Sequence, residues 1–336
     1  MLRRGHQVLF FERDVSYYAD TRDLAQLPDG GELILYKQLA DVTELAQQRL
    51  EHADLAMCTS YCPDGREASA WILDSLARVR CFYDLDTPVT LDAMDQGGLP
   101  EYVPAEGLGR FDLVLSYTGG RALGELQTRL GARTVAPLYG SVDPETHFRV
   151  EPVEELRSTM SYLGTYAADR QDGVERLLLE SARRMPDERF LIGGAQYPSE
   201  FPWATNIFFV SHLPPPVHPA FFSSSRATLN VTRAAMARYG FCPSGRLFEA
   251  AACGTPIVTD AWEGLESFFV PGEEILPVCD ADEVVALLQL PADRLRAVGE
   301  AGRRRALRDH TGEARVMELE ELCLPLLGAR QAAAAR

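Results

Sequence analysis

The sequence predicts an α/β protein of two doubly wound domains, each a parallel sheet covered by helices. Three observations point there. Short apolar runs rich in β-branched and aromatic residues alternate with stretches of helical period along most of the chain, the pattern of βαβ units. At 336 residues the chain exceeds what one hydrophobic core usually serves. The alternation pauses once, at the acidic, proline-containing VEPVEE of 150–155, and restarts at MSYLGTY. The boundary is therefore placed there, giving domains at 1–150 and 151–310 and a closing helix, 311–336, that can pack back on the first domain.

In the first domain the strand candidates are QVLFFE (7–12), ELILY (32–36), DLAMCT (54–59), RCFYD (80–84), DLVLSY (112–117) and TVAPL (134–138). Each is a short run too apolar for a loop, and helical patterns at 41–51, 66–78 and 120–130 separate several of them. In the second domain the strands are MSYLG (160–164), RFLIGG (189–194), NIFFV (206–210), ATLNV (227–231), PIVTD (256–260) and EILPV (274–278). Helices are expected at 171–185, 244–253 and 281–290 and beyond. In the first of these Val174, Leu177, Leu178 and Ala182 keep the i, i+3, i+4, i+8 spacing of a core-facing stripe.

Composition removes several classes of function. A formal net charge of −16 opposes binding to a phosphate backbone or an anionic membrane surface, so no nucleic-acid partner is expected. Lys37 is the only lysine and no Gly-Lys-Ser/Thr loop exists, which excludes a P-loop and argues against Schiff-base chemistry. Cationic contacts to a phosphate must then come from arginine, histidine or backbone N–H groups. Seven widely spaced cysteines without a CxxC pair read as reduced cytoplasmic thiols, with no zinc site or other metal expected. No run approaches 18 apolar residues, so no integral membrane segment is expected.

Doubly wound sheets bind ligands at the carboxyl ends of their strands, which directs attention to YDLDTP (83–88), GTYAADR (164–170) and CPSGRLFE (242–249). In the last, Pro243 and Ser244 signal a helix start, with Ser244 able to cap it. Gly245 leaves the first-turn amides open, and a helix N-terminus carries roughly half a positive charge, so an anion fits there. Arg246 adds a forked pair of donors, and Glu249, acceptor-only, suits the hydroxyls of a ribose. On a helical wheel Arg246, Glu249 and Cys253 oppose Leu247, Phe248, Ala251 and Ala252, so the charged pair is expected to look away from the core. Spacing alone leaves two readings open: a nucleoside diphosphate site, or an i,i+3 salt bridge on a solvated face.

The run LNVTRAAMARYGFCPSGRLFEAAACGTPIVTDAWEGLESFFVPGEEIL (229–276) resembles the C-terminal half of the CgeB-like bacterial glycosyltransferases, a GT-B group related to the group 1 glycosyltransferases. CFYDLDTPVTL (81–91), DLVLSYTGG (112–120) and PLYGSVDPETH (137–147) resemble the N-terminal domain of that group. The resemblance implies two Rossmann-like domains facing across a cleft and a nucleotide sugar as donor substrate; no acidic metal triad is apparent in the sequence, so neither a metal nor a cofactor is expected. It gives Glu249 the role of gripping the donor ribose. Phe241 stands where related enzymes often carry a sugar-touching glutamate, so that contact is not expected. GT-B chains normally open with a strand and a glycine-rich loop before an LxxRGHxV segment, whereas this sequence begins inside it at MLRRGHQVLFFE. Either the start is placed too late or the first strand and its loop are missing from the molecule, and the first sheet is expected to lack that strand.

Further candidates each carry a plain alternative. Asp84 and Asp86 are two apart after a strand, hence on the same side in an extended chain, and Asp86 can orient an acceptor hydroxyl or close an Asx turn. The Thr118-Gly119-Gly120 turn can admit a ligand or simply turn tightly. Arg170 is a diphosphate contact, or a surface arginine paired with Asp169 or Asp172. Arg233, positioned by Asn230, is a second. Backbone around His212 suits a nucleobase edge, with His218 read as a loop histidine. Asp260 and Trp262 follow a strand end, the tryptophan stacking on a ligand ring or filling a contact. The function expected is sugar transfer from a nucleoside diphosphate sugar to a glycan, protein or small-molecule acceptor. The alternatives are an inactive nucleotide-sugar-binding or spore-coat and polysaccharide assembly protein, and a GT-B epimerase.

Overall fold

The computed structural model describes residues 1–15, 22 and 24–334. The chain divides into two compact units, one of Met1–Tyr117, Arg121–Leu138 and Val316–Arg336, the other of Thr118–Gly120 and Tyr139–Arg315. The acidic pause at 150–155 thus lies inside the second unit, and the chain passes between units at Leu138 and Tyr139 instead.

In the first unit, β1 (Leu9–Arg13) and β2 (Glu32–Tyr36) form a two-stranded parallel sheet of their own. β3 (Leu55–Thr59), β4 (Val79–Asp84), β5 (Leu113–Ser116) and β6 (Val135–Pro137) make a four-stranded parallel sheet in sequence order. Among the described residues no strand joins the two sheets. The four-stranded sheet is buried on both faces, as parallel sheets usually are. Phe82 and Val114 point into one apolar cluster with Leu108 and Leu126, while Val79, Cys81, Leu113 and Leu115 point into another. The final helix, Gly312–Ala334, supplies Leu319 and Cys323 to that second cluster.

A helix at Thr87–Asp95 adds to those expected from the sequence, where Pro88 and the β-branched Thr87, Val89 and Thr90 mask its period. Pro88 falls in the first turn, where a missing N–H costs nothing, and the Asp86 carbonyl accepts from Val89 and Thr90.

The second unit holds a six-stranded parallel sheet, ordered β12-β11-β10-β7-β8-β9. Its strands are β7 (Ser158–Leu163), β8 (Phe190–Gly194), β9 (Ile207–Ser211), β10 (Ser225–Asn230), β11 (Ile257–Asp260) and β12 (Leu276–Val278). The chain enters at β7, builds outward through β8 to β9, returns to β10 on the far side of β7, and continues to β12. The order reverses between β7 and β10, which makes their carboxyl ends the topological switch point. Alternation along the strands again feeds two cores. Met160, Tyr162 and Ile192 enter one, Leu163 and Leu191 the other. The helical run Gln171–Arg184 contains a π-helical stretch, Glu175–Leu179, and buries Leu177, Leu178 and Leu179 in succession. The wider turn brings Leu179 inward beside the expected stripe.

Candidate functional site

The site is built on the switch-point side of the second unit. Asp260, ending β11, accepts from both the backbone N–H and the hydroxyl of Thr232, just past β10, at 3.0 Å each. Asn230 donates to the Thr259 hydroxyl at 3.1 Å. These two side chains tie the ends of β10 and β11 together, so Asn230 does not hold Arg233 as expected. Burial raises the Asp260 carboxyl above its ordinary value.

Arg233 instead pairs with Asp169, Nε to Oδ2 at 2.9 Å. Asp169 lies in the 3-10 turn Ala168–Arg170 after β7, and Arg233 follows β10, so the ion pair spans the switch point. Arg170, expected on Asp169 or Asp172, turns back to the Thr165 carbonyl at 2.5 Å, and its buried Nε has no partner.

After β10 the chain reaches the helix Gly245–Ala252. Ser244 caps it, its hydroxyl accepting from the Arg246 N–H at 3.3 Å, and Gly245 opens the first turn. The far side of this helix does not face solvent as the helical wheel predicts. Cys253 is fully buried, and the Glu249 side chain is only 18% exposed. The reason is tertiary: His147, from the loop after β6, and His218, from the helix His218–Ser223, pack over the face expected to meet solvent.

Glu249 Oε2 lies 2.5 Å from Arg246 Nη1, 3.7 Å from His218 Nδ1 and 3.8 Å from His147 Nε2. Burial works against ionisation of this carboxyl, but His218, Arg246 and His147 outweigh it and hold it down at about 2. Burial pushes the His147 imidazole below its usual value. The i,i+3 salt bridge of the plain reading is formed, but on a largely enclosed carboxylate rather than a solvated one. His218, read from sequence as a loop histidine, is buried in the first turn of its helix. No local spacing announced this cluster, because its members lie 71 and 31 positions apart in the chain.

The other candidates lie elsewhere. His212 is exposed at the end of the edge strand β9, with φ +54° and its N–H on the Gly194 carbonyl. Trp262 is 9% exposed and packs against Phe268 with centroids 5.8 Å apart, a core contact. Phe241 adopts φ +45°, its N–H on the Glu263 carbonyl and its own carbonyl accepting from Gly119. A Cβ on Gly120 would lie 2.6 Å from the Phe241 ring, so packing accounts for that glycine. In the first unit Asp84 is fully buried and accepts from the Asp86 N–H at 3.2 Å, an Asx turn. Asp86 is half-buried and accepts from the Tyr61 hydroxyl at 3.1 Å, so the two carboxylates do not share one environment. Burial raises the Asp84 carboxyl.

Residues 170–321 match the family model described as glycosyl transferase-like. No curated protein sequence matches the chain. Among solved structures, a sucrose-phosphate synthase from Thermosynechococcus elongatus aligns with a TM-score of 0.65 at 16% identity, covering 99% of this chain and 91% of that one. HepE of Anabaena in complex with UDP aligns at 0.62 and 12% identity, covering 94% and 99%. The same protein with UDP-glucose aligns at 0.59 and 11%, covering 96% and 99%. These likenesses show the fold, that of the GT-B glycosyltransferases.

Proposed function

We propose that this chain is a glycosyltransferase of the CgeB-like branch, moving a hexose from a nucleoside diphosphate sugar, UDP-linked in the first instance, to a glycan, protein or small-molecule acceptor. The observation that carries the reading is the capped helix Gly245–Ala252, with Arg246 at its open end and Glu249 held ionised one turn on. A diphosphate at the helix tip meets the positive end of the dipole and a guanidinium, and Glu249 accepts from the ribose hydroxyls. The Asp169–Arg233 pair and Arg170 stand at the switch point, where a second and third cation can reach the phosphates. The backbone beside His212 is the candidate for the base edge, and Asp86 for orienting the acceptor. Asp260 holds the ends of β10 and β11 together, and Trp262 belongs to the apolar cluster beneath the helix Gly245–Ala252.

In this mechanism charge building on the leaving diphosphate is met by fixed dipoles and arginines, so transfer needs no metal. The seven free thiols suit a reducing, cytoplasmic setting.

One observation favours a second reading, a nucleotide-sugar-binding assembly protein without turnover. Phe241, apolar and in a left-handed conformation, occupies the position eight residues before Glu249. Melting curves with UDP, GDP and dTDP followed by transfer and hydrolysis assays separate the two. A ligand at about one hundred times its Kd stabilises by about 2.7 kcal/mol, or roughly 5–10 °C for a unit of this size. A shift with UDP and released sugar supports the transferase, a shift without product supports the binding protein, and no shift with any nucleotide removes both.

A further inference from the structure

Beyond the nucleotide, the second unit holds a set of donors arranged for a metal ion. His147, His218 and Glu249 each offer one ligand atom, and these atoms all lie within 4.8 Å of one another. Both histidines are buried, and neither His147 Nε2 nor His218 Nδ1 has a hydrogen-bond partner. Leaving two such nitrogens unmet is costly unless something occupies the space between them.

The distances say what fits. Separations of 3.7 and 3.8 Å from the Glu249 oxygen are too long for a direct hydrogen bond. A water bonded at about 2.8 Å to atoms this close would hold its two bonds at roughly 83°, well under the tetrahedral angle. In the plane of the three atoms, the point equidistant from them lies at most about 2.4 Å from each, near the roughly 2.0–2.2 Å of zinc bonds to imidazole and carboxylate.

The imidazole orientation agrees. His218 Nε2 lies 3.3 Å from the Leu213 carbonyl, which can only accept, so the proton sits on Nε2 and Nδ1 turns its lone pair toward Glu249. A histidine ligand held from behind by a backbone carbonyl is the usual support of a metal site. His147 is fixed by a tight turn, its N–H and that of Thr146 both donating to the Asp143 carbonyl. One group opposes a cation, the Arg246 guanidinium on the same carboxylate oxygen. Its side chain is 42% exposed and can swing to solvent.

We propose that Nε2 of His147, Nδ1 of His218 and the Glu249 carboxylate bind one zinc-class divalent cation, with a fourth position left for water. The N2O donor set suits zinc or its first-row neighbours rather than calcium or magnesium. Such a site captures the carboxylate assigned above to the ribose, so the ion acts as an inhibitor of metal-free transfer rather than as its cofactor.

The test uses the full chain, free of any histidine tag and stripped with a chelator, titrated with zinc in a calorimeter without nucleotide. One ion per chain is expected, with Co(II) giving the visible bands of a low-coordinate site. His147→Gln and His218→Gln should each weaken zinc at least tenfold while circular dichroism shows the fold retained. Arg246→Met should bind zinc at least as tightly as the parent. Absence of a saturable site, or unchanged affinity in both histidine variants, overturns the proposal. Because zinc is read without nucleotide and UDP without zinc, failure of this inference and failure of the nucleotide reading are separate results.

Discussion

Glu249 is the residue on which the nucleotide reading turns, because it is a carboxylate that stays charged inside a largely enclosed site. Replacing it with Gln keeps the shape and removes the charge, so a hydrogen bond between a charged acceptor and the ribose is lost. Such bonds contribute about 1.5–3 kcal/mol, so UDP affinity should fall roughly 10- to 100-fold in calorimetry. Equal affinity in parent and variant would place the ribose elsewhere. The pH behaviour follows from the depressed carboxyl, held at about 2 against an ordinary 4.5. A carboxyl lowered on folding adds stability that is complete above its unfolded value and lost as pH falls from about 4.5 toward 2. Between pH 8 and 5 Glu249 stays ionised, so any decline in UDP binding across that interval has another origin. Titrating UDP into Glu249→Gln and parent at pH 8 and 5 checks this, the ratio of the two affinities staying constant.

At the scale of elements, what could be read from sequence follows from how far apart the determining residues lie. Among the described residues all twelve strands fall on short apolar runs, since a buried parallel strand is written in three to six adjacent residues. The helix Thr87–Asp95 was hidden by its own proline and β-branched residues. His218–Ser223 and Ala234–Tyr239, six residues each, are too short to show a period. Ser244, Arg246 and Glu249 were legible because one helix carries all three. His147 and His218 were not, since only folding brings them to Glu249. Arg233 was picked out correctly as lying past a strand end, yet its partner was misread, because Asn230 is spent on tying β10 to β11. A cap that is not among the candidate ligand contacts separates stability from binding. Asp280 accepts from the Glu283 N–H at 3.0 Å while Glu283 accepts from the Cys279 N–H at 2.7 Å. Asp280→Ala should cost about 1 kcal/mol in urea unfolding and leave UDP affinity unchanged. A matching loss of affinity would mean that the helix Ala281–Leu288 shapes the site.

For the molecule as a whole, acid tolerance is set by two opposing trends. A net charge of −16 means that lowering pH first relieves self-repulsion, which stabilises. Against this, His310 is buried at 4% exposure, stacked on Phe248 at 4.6 Å, with Nε2 against the Phe268 carbonyl and Nδ1 facing the Arg315 guanidinium at 2.8 Å. The carbonyl takes the Nε2 proton and the guanidinium fills the Nδ1 lone pair, so the neutral ring is satisfied and a second proton has no place. Burial, with Arg315 adding to it, pushes this imidazole down to about 4 from 6.5. A histidine lowered on folding is taken up by protons first in the unfolded chain, so stability is complete above about pH 6.5 and drains away as pH falls toward 4. Between pH 7 and 5 the loss amounts to about 2 kcal/mol. His310→Gln keeps a donor for Phe268 and an acceptor for Arg315 but cannot take up a proton. The variant should be less stable than the parent at pH 7, and the gap should narrow by about 2 kcal/mol at pH 5, because the self-repulsion trend is common to both and cancels. Denaturation curves that stay parallel across that interval would show that another group, His147 first, carries the acid sensitivity.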